Sequence, residues 1–89
     1  MELAELVQQF DRLTNHLDWD KLRKEQGIRV DMNLTRNLLI RYLARHEITP
    51  VDIAPIVGLK YPSNRQLVYD VCNSHYSAYR RIERELGLA

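Results

Sequence analysis

The chain has 89 residues, 45% of them hydrophobic, with three glycines, three prolines and a formal net charge of +1. This length allows one domain with one modest core, residues 1–89, and the low glycine and proline content argues against a linker-rich chain. The single cysteine cannot form an internal disulfide, and no apolar run approaches the roughly 20 residues that span a bilayer. With no charged-then-apolar leader either, we expect a cytoplasmic protein with no membrane partner.

The charges are distributed unevenly along the chain. Residues 1–33 hold five Lys/Arg and seven Asp/Glu, a balance of −2, whereas residues 34–89 hold eight and five, a balance of +3. A net charge so close to zero does not by itself predict nucleic-acid binding. The asymmetry favours a polyanion that contacts the C-terminal half of the chain.

An apolar stripe predicts a first helix over residues 2–17. Its members recur at spacings of three and four, as on one face of an amphipathic helix: Leu3, Leu6, Val7, Phe10, Leu13 and Leu17. Two interpretations stay open. The stripe packs on its own domain, or it forms a dimer seam, because two heptads of this pattern resemble a short coiled coil.

Two further helices are predicted, over residues 19–26 and 32–46. Asp18 is placed to cap the first and Gly27 to end it, while Trp19 and Leu22 fill the core. Asp31 or Asn33 caps the second. Its expected buried side is Leu34, Leu38, Leu39, Tyr42 and Leu43, and its arginines are expected mostly on the outer side: Arg36, Arg41 and Arg45.

Residues 48–86 predict a short helix, a tight turn and a long helix. Thr49 caps the short helix, 50–57, and Gly58 suits the left-handed residue beyond its end. Pro62 prevents a helical connector, and Ser63 with Gln66 makes a capping box for the long helix. That helix is predicted over 64–86, because one apolar face runs through it without Gly or Pro: Leu67, Val68, Val71, Cys72, His75, Tyr79, Ile82 and Leu86.

No stretch shows the alternation of a β-strand. The predicted fold class is therefore all-α: a small helical domain with a helix-turn-helix at about 49–86 and a long C-terminal recognition helix.

Two segments resemble a known family. Residues 34–45 read LTRNLLIRYLAR, and residues 48–58 read ITPVDIAPIVG. The first is similar to the supporting helix of the C-terminal DNA-binding domain of the bacterial replication initiator DnaA, which carries an Arg-Gln-apolar-apolar-x-Tyr-Leu-Ala-Arg string. The second resembles the threonine, acidic-isoleucine and glycine pattern of that family's short helix. The resemblance implies a helix-turn-helix core of that general shape.

The chain also departs from that family. The Asp-His-Ser/Thr signature that begins the family's recognition helix is replaced by Tyr61-Pro62-Ser63-Asn64, of which only Ser63 matches. The arginine-rich loop before the supporting helix is reduced to Arg29, with Arg36 a little later. The resemblance therefore implies neither recognition of an initiator box nor a role in opening an origin.

The polar side chains near the start of the long helix are the candidate DNA-binding residues, because that end of a recognition helix reads the major groove. We expect four to face bases: Asn64, Arg65, Gln66 and Tyr69. Others are expected to position the DNA backbone: Lys60, Tyr61, Ser63, Asn73 and Arg80, with Arg36 in the first turn of the supporting helix. The carboxylate of Asp70 would repel DNA phosphates, although it could accept a hydrogen bond from a cytosine amine. A polar outer face is also what solubility alone requires.

Residues suited to catalysis are sparse. The three histidines, His16, His46 and His75, have no partner at metal-ligand spacing, and no Cys-x-x-Cys occurs. Cys72 and His75 lie on the predicted apolar face, so both are expected to be buried. We expect no enzyme activity, no metal and no small-molecule cofactor.

The predicted function is sequence-specific binding of double-stranded DNA, in transcriptional or replicon control. A homodimer is expected, because one small module reads few base pairs and symmetric operators pair two of them. The alternative is a helical protein-interaction module, an adaptor or inhibitor that grips a protein and does not bind DNA.

Overall fold

The computed structural model describes residues 2–88, and in this range the chain forms six α-helices and no β-strand. The predicted all-α class is confirmed. The helices are α1 (Leu3–Asn15), α2 (Trp19–Gln26), α3 (Met32–Arg45), α4 (Pro50–Ile56), α5 (Arg65–Cys72) and α6 (Ser77–Glu85). No helix in the described range is long and apolar enough to cross a bilayer.

Helix α3 lies at the centre of the domain and packs against α1, α4 and α5. Its burial extends around most of its circumference: Leu38, Ile40 and Leu43 are all almost fully buried. The expected inner side of α3 is therefore largely confirmed. Leu39, however, is only half-buried, and Ile40 was not expected in the core.

Every other helix contributes side chains to one continuous core around α3. The α1 stripe packs inward, with Leu6 and Phe10 buried and the rest of it half-buried against the core. Leu22 of α2 is buried, and Trp19 is half-buried beside the core, as predicted. The largest part of the α1 stripe is thus used within the domain, and a dimer seam on this helix stays a prediction.

Short polar residues and glycines mark several helix ends as predicted. The carboxylate of Asp18 accepts from the Lys21 N–H at 3.0 Å, and that of Asp31 accepts from the Leu34 N–H at 2.8 Å. Each bond satisfies one of the N–H groups that a helix start leaves without an intrahelical partner. Gly27 ends α2 in the left-handed conformation, with φ 64°. Asp31, not Asn33, is the cap of α3.

The predicted long helix over 64–86 is wrong. The chain forms two helices there, α5 and α6, separated by residues 73–76. The polar side chains of the break bond to nearby backbone: Asn73 Nδ2 donates to the Tyr69 carbonyl at 3.0 Å, and the Tyr76 N–H donates to Ser74 Oγ at 3.2 Å. Such local bonds compete with helix hydrogen bonding. The apolar stripe that continues through 64–86 led to the prediction of one helix. The polar Asn-Ser-His-Tyr-Ser run at 73–77 is the part of the sequence that indicates the break.

A buried arginine completes the break. The Arg41 Nη1 atom donates to the Val71 carbonyl at 3.0 Å and also lies 3.4 Å from the carbonyls of Cys72 and Ser74. These carbonyls belong to the end of α5 and the residues beyond it, where helical partners run out. A cation at a helix C-terminus also interacts favourably with the helix dipole. Arg41 thereby caps α5 from a neighbouring helix.

The same guanidinium holds α6. Its Nε and Nη2 atoms donate to the two carboxylate oxygens of Glu83, each at 3.0 Å, and its Cζ atom lies 4.9 Å from the centre of the Tyr79 ring. Arg45 adds a longer contact to Glu83 at 3.6 Å. The Arg41 and Glu83 side chains are only 13% and 4% exposed. The expectation that Arg41 lies on the outer side of its helix is therefore wrong.

The Arg41–Glu83 pair predicts the response of the fold to mutation. Glu83→Ala leaves the buried guanidinium without its bidentate partner, and should lower the free energy of unfolding by about 3 kcal/mol or more. Urea denaturation followed by circular dichroism measures this. Glu85→Ala is the matched control, since Glu85 is exposed on the same helix and its loss should change the value by less than about 0.5 kcal/mol. Equal effects of the two substitutions would contradict the structural role of the pair.

Candidate nucleic-acid interface

The candidate interface is built from α4, the connector 57–64 and α5. Helix α4 ends with the Leu59 N–H donating to the Ala54 carbonyl at 2.8 Å, and Gly58 takes the left-handed conformation there, with φ 74°. Thr49 stands at the start of α4, but its hydroxyl donates to the Asp52 carboxylate instead of capping the backbone. The Tyr61–Pro62 peptide bond is cis.

The inner side of this unit is apolar and fixed. Ile53 and Ala54 of α4 and Val68 and Val71 of α5 are buried, and α3, α4 and α5 pack against one another in pairs. Burial of these side chains is the main favourable term that orients the two short helices. The position of α5 relative to α3 is thus set by its inner face and by the Arg41 cap at its end.

The outer side of the unit is polar and accessible. Six of the ten sequence-predicted site residues are exposed on the connector and α5 up to its last turn: Lys60, Tyr61, Ser63, Arg65, Gln66 and Tyr69. Asn73, directly after α5, is exposed as well. The two tyrosine rings retain 40% and 46% of their accessible surface. Residues 53–69 contain Lys60 and Arg65 and no acidic residue, but Asp52 on α4 and Asp70 on α5 flank them, so the unit as a whole has no net formal charge.

The start of α5 is organised differently from the predicted capping box. Asn64, not Ser63, is the residue before the helix, and no side chain caps it. The Asn64 N–H and its Nδ2 amide both donate to the Lys60 carbonyl at 3.0 Å, and the Arg65 N–H donates to the Pro62 carbonyl at 3.0 Å. Both of these backbone amides are therefore engaged within the turn, and a phosphate contact at the start of α5 stays a prediction.

Two of the α5 side chains are already engaged with their own helix. Gln66 Nε2 donates to Asp70 Oδ1 at 2.9 Å, in place of the expected bond back to the helix start. Asn73 Nδ2 donates to the Tyr69 carbonyl and so caps the helix end. By contrast, the Arg65 guanidinium is exposed and has no ion-pair partner among residues 2–88. Arg65 is consequently the most available donor on α5.

The remaining two site residues lie on other helices. Arg36 is half-buried in the second turn of α3, where its Nε donates to Asn37 Oδ1 at 3.1 Å. Arg80 is exposed on α6. The predicted helix over 64–86 would carry Arg80 together with Arg65 and Tyr69, but the break at 73–76 places Arg80 on a separate helix.

The sequence analysis missed the residues that position α5, Arg41 and Glu83. A signal for them was present: Glu83 falls among the apolar positions Tyr79, Ile82 and Leu86, where a charged residue requires a buried partner. Among residues 2–88 no buried side-chain nitrogen or oxygen lacks a hydrogen-bond partner, so this polar cluster is fully satisfied.

The two residues expected in the core of the long helix differ in their surroundings. His75 is exposed in the break, so the expectation of a buried histidine is wrong. Cys72 is half-buried; burial raises the pKa of its thiol, and the nearby Arg41 charge opposes this only partly. The thiol is therefore mainly protonated near neutral pH and is a poor nucleophile.

Within the described range no group of three or more His, Cys, Asp or Glu side chains could hold a metal ion.

Comparison with protein-family models, curated proteins and solved structures finds no match for this chain. The assignment of function therefore depends on the residues and geometry given above.

The exposure of the outer face predicts that it can be altered without loss of the fold. Arg65→Ala and Tyr69→Ala should each change the free energy of unfolding by less than about 0.5 kcal/mol, because neither side chain is buried. Val68→Ala, on the inner face of the same helix, should lower it by more than about 1.5 kcal/mol. Thermal and urea denaturation of the three variants test this. A large loss of stability in Arg65→Ala would mean that the face is part of the fold.

Proposed function

We propose that this protein binds double-stranded DNA sequence-specifically, with α5 in the major groove, and acts in transcriptional or replicon control. The observation that carries the proposal is the polar tip formed by the connector and the first turns of α5. It is exposed, presents the cationic side chains of Lys60 and Arg65 together with the Asp70 carboxylate, and is held on an apolar base.

In this proposal the roles on α5 follow from hydrogen-bonding capacity. Arg65 supplies paired donors that suit the O6 and N7 atoms of guanine. Tyr69, one turn later, supplies a hydroxyl and a ring at the same edge. Asn64 is half-buried, and its side-chain nitrogen Nδ2 donates to the Lys60 carbonyl within the turn. Its side-chain oxygen Oδ1 is therefore the group left to contact a base.

The proposed backbone contacts flank these residues. Lys60, Tyr61 and Ser63 precede α5 on the exposed connector, and Asn73 directly follows α5. Arg36 lies on α3, against which α5 packs. Such groups fix the register of a protein on the duplex without reading its sequence. In the proposal Arg80 contributes positive charge near the DNA backbone. It lies on α6 and is not part of α5, the proposed reading helix.

The similarity of residues 34–45 and 48–58 to the DnaA DNA-binding domain supports the same arrangement. In that resemblance α3 is the supporting helix, α4 the first helix of a helix-turn-helix and α5 the reading helix. The different residues at 61–64 imply a different target sequence.

A homodimer is part of the proposal. Helix α5 has eight residues, which limits one copy to a few base pairs. Selection of binding sites from random duplex DNA should therefore yield a two-fold symmetric consensus with half-sites centred about 10 base pairs apart or a multiple of this. A mass measurement of the complex should find two chains per duplex. An asymmetric short consensus bound by one chain would overturn the dimer and leave DNA binding intact.

Substitution of Arg65 and Lys60 tests the DNA contact itself. Arg65→Ala should weaken binding to the selected site by about 1–3 kcal/mol and relax the base preference at one position. Lys60→Ala should weaken binding to all sequences and reduce the slope of log K against log salt by about one. Fluorescence anisotropy at several salt concentrations measures both effects.

Arg23→Ala is the matched control for these two variants. Arg23 is an exposed arginine on α2, outside the candidate interface, and its loss removes the same charge. If Arg23→Ala and Arg65→Ala weakened binding equally, the contact would be nonspecific attraction. If neither the parent chain nor any variant bound duplex DNA at low salt, the proposal would fail.

Exposed apolar side chains favour a second candidate function, a protein-interaction module. Val51 and Ile56 of α4 are 50% and 41% exposed, and Met32 at the start of α3 is 88% exposed. Apolar groups of this kind are enriched at the centres of protein interfaces rather than on phosphate-contacting surfaces. A stoichiometric protein complex that is unaffected by competing duplex DNA and lost in Val51→Asp would support this candidate.

A further inference from the structure

Two side chains on the outer face of α5 form a hydrogen-bonded pair. The Gln66 Nε2 atom donates to Asp70 Oδ1 at 2.9 Å, and both residues are exposed. A spacing of four residues places them one turn apart on the same edge of the helix. Because a carboxylate can only accept, the amide nitrogen must face Asp70 and the amide oxygen must face away from it.

The pair presents hydrogen-bond acceptors to an approaching base. The free acceptors are Gln66 Oε1 and the second carboxylate oxygen of Asp70, Oδ2, and one of the two N–H donors of Gln66 Nε2 is also free. A glutamine alone reads adenine by donating to N7 while it accepts from the N6 amine. Here one of the two N–H groups of that nitrogen is bonded to a carboxylate, so the negative charge of Asp70 lies beside the donor that adenine N7 would approach and repels that acceptor. The usual preference of glutamine for adenine is thereby opposed.

Cytosine has the complementary pattern. In the major groove it offers the N4 amine as a donor and has no acceptor corresponding to adenine N7. An acidic residue also repels phosphate, so it weakens binding to DNA that lacks its base partner. Asp70 is the only acidic residue of α5.

We propose that Asp70 is a specificity-determining residue: together with Gln66 it selects a cytosine amine in the major groove and rejects adenine. This inference rests on the proposed function and specifies the base that one position of the site prefers. Arg65, the neighbouring residue with donors only, then selects a guanine at another position. We therefore expect each half-site to contain a guanine that contacts Arg65 and a cytosine that contacts Asp70.

The test compares site selection by the full chain with that of three variants. The parent protein should select cytosine at one position of each half-site. In Asp70→Ala the carboxylate is removed and both N–H groups of Gln66 are free, so the same position should change from cytosine to adenine, with a shift in relative affinity of about fivefold or more. In Gln66→Ala the carboxylate remains, so cytosine should still be preferred. Glu85→Ala removes one negative charge from an exposed position on α6, and should leave the base preference unchanged.

The outcomes of this experiment distinguish failure of this inference from failure of the proposed function. No selection of any sequence by the parent protein would overturn both. A reproducible consensus without a cytosine position, or one whose cytosine survives in Asp70→Ala, would overturn only the role of Asp70. Circular dichroism verifies that Asp70→Ala is folded; an Asp70→Asn variant, which keeps the size of the side chain and removes its charge, should likewise lose the cytosine preference.

Discussion

The side chain of Arg41 is the interaction on which the arrangement of the C-terminal half depends. One guanidinium on α3 caps the carbonyls at the end of α5, pairs with both oxygens of Glu83 on α6 and lies over the Tyr79 ring. Arginine suits this position because its planar fork donates in several directions at once and keeps its charge when buried. The Val71 carbonyl also accepts from the Ser74 N–H, and Arg41 adds a charged donor to it and to the carbonyls of Cys72 and Ser74. The cluster explains why α5 ends at Cys72 and why α6 returns to the core.

This anchoring separates the two ends of α5 by function. The C-terminal end is fixed by the Arg41 cap, and the inner face by burial of Val68 and Val71 against α3 and α4. The N-terminal end is held only by hydrogen bonds within the connector, and the outer face is polar and exposed. A reading element on a rigid support needs this division, because precise base contacts require a helix whose position does not change. The proposed DNA contact and the proposed role of Asp70 both depend on it.

Local sequence rules predicted the features that have local causes. The all-α class, the caps at Asp18 and Asp31 and the left-handed turns at Gly27 and Gly58 each follow from a few neighbouring residues. The long C-terminal helix failed because its apolar period continues across a break that a distant residue stabilises: Arg41 is about 30 positions from the carbonyls it caps. Arg41 was predicted on the outer face of α3 but lies at the centre of a polar cluster. The prediction failed because the only sign of its partner in the sequence was Glu83, a charged residue within an apolar stripe. Exposure of most predicted site residues followed from the same apolar pattern, but the Gln66–Asp70 bond and the engaged turn amides required the three-dimensional geometry.

The central claim is that the connector and the outer face of α5 contact duplex DNA while the core and α6 remain as they are. Amide chemical-shift changes in a ¹⁵N-labelled chain titrated with its selected duplex test this most directly. The account predicts that the largest changes fall within residues 60–73, and that the signals of α1 and α2 remain nearly unshifted. Changes concentrated on α1 or α2, or none at saturating duplex, would contradict it.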